Sequence, residues 1–141
     1  MRKYLLVLVC IFMLIFTGCG VQTVSAHIGT EAEGATVIIN VTDGWSVDFA
    51  SDCFSVYDEE ITETSAGIAI CTAVEKEIFD DYVKEAEASD TYEKLNNAIY
   101  YESTDGATYL LEGNGAHFIL VAKDKKKGDE ILEKMRIVEA D

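Results

Sequence analysis

The chain has 141 residues, of which 26 are acidic and 11 basic, giving a formal net charge of −15 at pH 7. This length accommodates one domain, and the negative field repels polyanions, so nucleic acid is excluded as an expected partner. Residues 31–93 hold 17 acidic side chains and only two basic ones, Lys76 and Lys84. Such a surface either attracts cations or a basic partner, or simply keeps an exported domain soluble.

The N-terminus has the three parts of an export signal. Arg2 and Lys3 are followed by 4–16, a segment without charge, and then by Thr17-Gly18-Cys19. A basic start, a short apolar run and small residues at the exit are typical of cleaved signals. Thirteen apolar residues fall short of the roughly 20 that a bilayer-spanning helix requires.

Phe16-Thr17-Gly18-Cys19 resembles the lipobox of bacterial lipoprotein signals, with Phe16 where the family prefers Leu. The resemblance implies cleavage after residue 18 and fatty acylation, such as palmitate, on Cys19. It further implies a protein held at the cell membrane on its extracytoplasmic side. An ordinary cleaved secretory signal and an uncleaved anchor are the alternatives. The predicted organisation is a signal peptide over 1–18, a flexible tether over 19–35 and one domain over 36–141.

Strands are predicted first in the domain. Residues 36–41 are β-branched and apolar, and Trp45, Val47 and Phe49 alternate with polar residues on one face of a second strand. Further strands are predicted over 54–57 and 67–73. The acidic stretch 58–63 between them is expected in a loop.

After residue 73, the spacing of the apolar residues changes from that of a strand to that of a helix. Apolar residues at helical spacing predict a central helix over about 75–88, and Thr72 with Glu75 matches a capping box at its start. Strands over 98–103, 107–112 and 117–122 follow, separated by the hairpin signals Asp105-Gly106 and Asn114-Gly115. The second and third of these strands are apolar enough to be central in a sheet. Ile131, Leu132, Met135 and Val138 lie on one helical stripe and predict a C-terminal helix over about 129–138.

This order predicts an α+β fold, an antiparallel sheet with the two helices packed on it. The Gly-Trp-Ser-Val-Asp-Phe segment at 44–49, the central helix, the late meander and the closing helix together resemble the PsbP-like α/β/α sandwich family. That family includes exported and lipid-anchored bacterial domains. A cystatin-like or other α+β sheet is the alternative.

Two cysteines, Cys53 and Cys71, remain in the domain after the signal is removed. An exported compartment permits a disulfide between them, which would stabilise by roughly 3 kcal/mol. The alternative is a pair of free thiols packed in adjacent strands.

Catalytic and metal motifs are lacking. His27 and His117 are the only histidines, so a zinc site of histidine and carboxylate ligands is not expected. No calcium loop, phosphate loop or nucleophile elbow occurs, and no cofactor is predicted. The lysines of 123–127 form the only basic cluster, which is either a solvated loop or a contact to anionic headgroups.

Two tyrosines, Tyr101 and Tyr109, are candidates for a binding patch if they share an open sheet face. The favoured hypothesis is a non-enzymatic, lipid-anchored domain that binds a protein or cell-envelope partner. One alternative is a small envelope hydrolase that uses carboxylates such as Asp48 or Glu102. Another is an accessory lipoprotein that binds an ion or a small ligand.

Overall fold

The computed structural model describes residues 22–30, 34–113 and 115–138, and their fold is α+β, as predicted. The predicted signal peptide and Cys19 lie outside the described residues. The described residues form a large antiparallel sheet, a small antiparallel sheet, two α-helices and a short 3-10 helix at Thr42–Gly44.

The large sheet has seven strands. They are β3 (Ser46–Phe49), β4 (Cys53–Tyr57), β5 (Ala69–Val74), β6 (Glu93–Lys94), β7 (Ala98–Ser103), β8 (Gly106–Gly113) and β9 (Ala116–Ala122). Their spatial order is β3-β4-β5-β9-β8-β7-β6, so β8 and β9 are interior strands, as their apolar composition predicts. The predicted hairpin between β7 and β8 is confirmed, with Ser103 opposite Gly106. Gly106 has φ +135°, and a Cβ there would lie 2.6 Å from the carbonyl oxygen of Ala122.

The small sheet has three strands in the order β1-β2-β10, namely β1 (Thr23–Ile28), β2 (Ala35–Asn40) and β10 (Met135–Val138). The prediction of a flexible tether over 19–35 is therefore wrong for Thr23–Ile28, which pairs with β2 along its whole length. The cause is burial, since Ile28 is fully buried and Val24 and Ala26 pack against the same core.

The central helix α1 (Lys76–Glu87) confirms the predicted helix, but it begins without the predicted capping box. Its N-cap is Glu75, which makes no side-chain cap hydrogen bond, and Thr72 belongs to β5 instead. The β5 pairing with β9 extends through Val74, so the chain has no room for a cap at Thr72.

The C-terminal helix α2 (Lys125–Lys134) begins and ends four residues before the predicted bounds of 129–138. It begins earlier because the Asp124 carboxylate accepts a hydrogen bond from the Lys127 amide at 2.8 Å. It ends at Lys134 because Met135–Val138 pairs with β2 as strand β10. The backbone hydrogen bonds of these four residues are thus made across a sheet.

The large sheet has an inner face, covered by the small sheet and α2, and an outer face, on which α1 packs. The inner core contains buried side chains from both sheets, among them Phe54, Tyr109 and Phe118 of the large sheet. Ile131 of α2 packs in the same core. On the outer face, Phe79 and Ala86 of α1 pack with buried residues of β7, β8 and β9, and Val74 at the end of β5 packs against the same cluster. Among the described residues, this cluster includes none from β3 or β4, and on β5 it leaves Ile70 exposed.

Candidate functional site

The uncovered outer surface of β3–β5, formed by Asp48, Cys53, Ser55, Ile70 and Thr72, is here named the open face. Register places Asp48, Ser55 and Ile70 side by side in one row, and Cys53 beside Thr72 in the next. Ile70 is 44% exposed, although a β-branched apolar residue on a central strand is usually covered. The open face thus presents an apolar side chain in the same row as a carboxylate, two strands away, with Ser55 between them.

Strong negative charge surrounds the open face. Residues 46–75, which include all three of its strands, contain seven acidic and no basic side chains. The two basic residues of the wider acidic region both lie on α1 and are ion-paired, Lys76 with Asp80 at 2.7 Å and Lys84 with Asp81 at 3.9 Å. The carboxylates near the open face are therefore not neutralised by these lysines.

A cavity of about 240 Å³ adjoins one end of the open face, where the β3–β4 turn meets the β5–α1 junction and the end of β1. Its polar lining includes the carboxylate residues Asp52 and Glu75 and the hydroxyl residues Thr30 and Ser51. The backbone ties these segments together, since the Gly29 amide donates to the Ser51 carbonyl at 2.9 Å.

The partly exposed thiol of Cys53 is held in its protonated form. Desolvation raises the pKa of Cys53, and the nearby Asp52 and Asp48 carboxylates raise it further. Because the thiolate is the reactive species, this thiol is a weak nucleophile at neutral pH. The Cys53 thiol therefore supplies no activated nucleophile on the open face.

The two domain cysteines carry free thiols on adjacent strands, so the prediction of a disulfide is wrong. The alternative of two buried thiols holds in full only for Cys71, because Cys53 is partly exposed. Cys53 pairs with Thr72, whereas Cys71 pairs with Phe54. Since paired residues share a face and neighbours alternate, Cys53 points to the outer face and Cys71 to the inner core. Burial raises the pKa of Cys71, which is fully enclosed.

Tyr101 and Tyr109 do not form the predicted binding patch, because they lie on opposite faces and are both buried. Tyr100 pairs with Tyr109, so the neighbouring Tyr101 faces the other way. The Tyr109 hydroxyl donates to the Asp129 carboxylate at 2.8 Å beneath α2. Tyr101 packs beneath α1 with Leu110.

The Tyr101 hydroxyl is buried and has no hydrogen-bond partner of suitable geometry among the described residues. Burial raises the pKa of Tyr101, and the Glu85 carboxylate adds to the rise. Beside it, the Ser103 and Thr108 hydroxyls bond to each other at 2.8 Å. Tyr101 and Thr108 are buried, whereas Ser103 is partly exposed.

The carboxylates of the hydrolase alternative do not converge. Asp48 lies on the outer face of β3, at one edge of the sheet. Glu102 lies on the inner-face side of β7, five strands away, which corresponds to about 24 Å. The Glu102 carboxylate instead accepts a hydrogen bond from the Tyr100 hydroxyl. The two acids therefore share no substrate position.

The two histidines also lie apart. His27 Nε2 lies 3.1 Å from the Thr30 carbonyl oxygen, on β1 of the small sheet. His117 is buried under the Phe79 ring, with ring centroids 4.8 Å apart, and its Nε2 lies 3.5 Å from Glu112 Oε1. In the described part of the chain, no three His, Cys, Asp or Glu side chains are grouped to hold a metal ion.

The lysine cluster over 123–127 is partly neutralised by ion pairs. Lys125 Nζ lies 2.8 Å from Asp129, and Lys127 Nζ lies 3.2 Å from Asp58. Lys123 and Lys126 are exposed.

No protein-family model, curated protein or solved structure matches the chain. The resemblance of 36–138 to the PsbP-like family stays a prediction. Neither helix within the described ranges is long and apolar enough to cross a bilayer.

Proposed function

We propose that the protein is a lipid-anchored, non-enzymatic domain on the extracytoplasmic side of the cell membrane, and that its open face binds a basic segment of a protein partner. The lipobox-like sequence ending at Cys19 supports the anchor. The observation that supports the binding role is Ile70, which is 44% exposed on an uncovered sheet face in the same row as Asp48.

The partner's chemistry follows from this surface. An exposed apolar residue on a polar sheet face is a typical interface anchor, and complementary charge around it speeds and orients association. The surrounding acidic side chains select basic residues and disfavour acidic ones. A segment with Lys or Arg flanking an apolar residue therefore fits the open face.

Site-specific photocrosslinking in intact cells tests this function. A photoreactive residue at position 70 is expected to give a discrete adduct, identifiable by mass spectrometry, that Asp48→Lys weakens. The control position is Ile61, which is 43% exposed in the loop after β4 and is not on the open face. Identical adducts from positions 70 and 61, or none from position 70, would contradict the proposed binding role.

A further inference from the structure

The distance between the proposed lipid site and the folded domain is short. The Gln22 amide donates to Thr42 Oγ1 at 2.9 Å, and the Gln22 carbonyl accepts from the Val41 amide at 2.8 Å. Strand β1 begins at the next residue, with Thr23 opposite Asn40. The fold therefore fixes the chain at residue 22.

Only three peptide links join Cys19 to Gln22, and in any conformation they span at most about 11 Å. Acyl chains on Cys19 lie in the hydrocarbon core, and the headgroup layer above that core is about 5–8 Å thick. Gln22 is thus held at or just above the headgroups. A flexible tether over 19–35 would instead reach roughly 20–25 Å.

The side chains around Gln22 suit that position. Gln22, Val41, Gly44, Trp45 and Glu60 are among the residues that line a cavity of about 430 Å³ at this end of the domain. Trp45, the only tryptophan of the chain, is half-buried there. Tryptophan is favoured at membrane interfaces because its ring is largely apolar while its N–H bonds to polar groups.

A cation lies at the same end. Lys134 Nζ sits over the Trp45 ring, 4.9 Å from its centroid. An aromatic ring with an ammonium group beside it matches the chemistry of a headgroup layer, which offers phosphate oxygens above and apolar chains below.

We propose that the Trp45 end of the domain rests on the headgroup layer of the membrane that holds Cys19. This orientation rests on the proposed lipid anchor. The opposite end, with the cavity lined by Asp52 and Glu75, then points away from the membrane. Strand β1 separates the two ends by about 17 Å, because the five steps between its six residues rise about 3.4 Å each.

The orientation also serves the proposed binding role. Strands β3 and β4 run from the Trp45 end to the turn at Ser51, so the open face stands beside the membrane instead of lying against it. A partner in the envelope can then reach Ile70 without displacing lipid.

The single tryptophan makes the orientation measurable. The full lipidated protein is purified from membranes, and the mass of its N-terminal peptide establishes the lipid on Cys19. It is then reconstituted in phosphatidylcholine vesicles that carry a headgroup nitroxide quencher. Zwitterionic lipid is chosen because Glu60 lines the same cavity. Trp45 emission is expected to fall severalfold more than emission from the variant W45F/S51W, whose reporter lies at the opposite end.

A second variant separates contact from mere anchoring. Twelve Gly and Ser residues inserted between Gly20 and Val21 lengthen the link to about 20 Å and leave the fold unchanged. Its Trp45 quenching is expected to fall to the level of the residue 51 reporter. Equal quenching at positions 45 and 51 in acylated protein would overturn the orientation alone. An N-terminal peptide without lipid would overturn the anchor as well.

Discussion

Gly128 lies inside helix α2, where alanine normally stabilises by about 1 kcal/mol relative to glycine. Its φ lies outside the left-handed region, so the backbone conformation permits a side chain. The neighbourhood does not, because a Cβ at Gly128 would lie 2.5 Å from Tyr109 Oη and 2.6 Å from Tyr109 Cζ. Tyr109 is fully buried and cannot swing aside.

The magnitude of Gly128→Ala follows from three contributions. Overpacking costs about 1–3 kcal/mol, and displacing the Tyr109 hydroxyl from Asp129 leaves a buried polar group that costs about 1–3 kcal/mol. The helix preference offsets about 1 kcal/mol. We therefore expect the free energy of unfolding to fall by about 2–3 kcal/mol and Tm to fall by about 10 °C.

Thermal unfolding of the domain, followed by circular dichroism, checks this value. The control is Gly67→Ala, because a Cβ at Gly67 has its nearest neighbour, the Val56 carbonyl oxygen, at 3.6 Å. That variant is expected to stay within about 1 kcal/mol of the parent protein. A Tm for Gly128→Ala equal to or above that of the parent would refute the packing of α2 on Tyr109.

Three further predictions concern burial and ionisation. Ile28→Ala is expected to lower the free energy of unfolding by about 2–4 kcal/mol in urea titrations, because Ile28 is fully buried; no change would restore the tether interpretation. In thiol labelling, Cys53 should react slowly at neutral pH and faster as pH rises, while Cys71 should react only when the protein unfolds. Labelling of Cys71 before Cys53, or no labelling of either thiol in the folded protein, would contradict the register. Partial burial acts to raise the pKa of Asp129, but the hydrogen bonds from Lys125 and Tyr109 outweigh it and hold the pKa low. The ionised carboxylate therefore stabilises the folded state at pH values above its unfolded pKa. This stabilisation is lost as pH falls through the folded pKa. Asp129→Asn should therefore cost about 0.5–1 kcal/mol at pH 7, a small value because solvent screens the partly exposed pair. The difference should begin to shrink below about pH 4 and vanish once pH is below the folded pKa; a cost that does not vary with pH would contradict this reasoning.

The central elements of the fold were predictable from local patterns. Alternation at Trp45, Val47 and Phe49 predicts one buried face, and all three side chains pack against the inner core. The signal Asp105-Gly106 correctly predicts the hairpin between β7 and β8, although the two turn residues are Thr104 and Asp105 and Gly106 already pairs with Ser103. The helical period identifies α1 because Phe79 and Ala86 fall on one buried stripe.

The predictions for the first and last segments of the domain were wrong because their sequence patterns fit more than one structure. Val24, Ala26 and Ile28 alternate with the polar Ser25 and His27, which is a strand pattern, but a run this short does not by itself distinguish a strand from a tether. In the C-terminal segment, the apolar residues from Ile131 to Val138 fit a helical stripe equally well. Both segments are strands because they pair with β2, and this long-range pairing cannot be predicted from the local sequence pattern.

The prediction of a tyrosine patch was wrong because of the length of the turn between β7 and β8. In a two-residue hairpin an odd-numbered residue always pairs with an even-numbered one, and paired residues share a face of the sheet. Two odd-numbered residues on opposite strands therefore lie on opposite faces. Tyr101 and Tyr109 are both odd and must point to opposite faces. The open face, in contrast, required the position of α1, because the sequence of β5 does not say which side of Ile70 is covered.

The most direct test of the central claim is the mass of the mature N-terminus from protein purified out of the membrane fraction. We predict a peptide that begins at Cys19 and carries fatty acyl chains, and a Cys19→Ser variant that leaves the membrane fraction. An unmodified N-terminal peptide that starts beyond residue 19 would contradict the account.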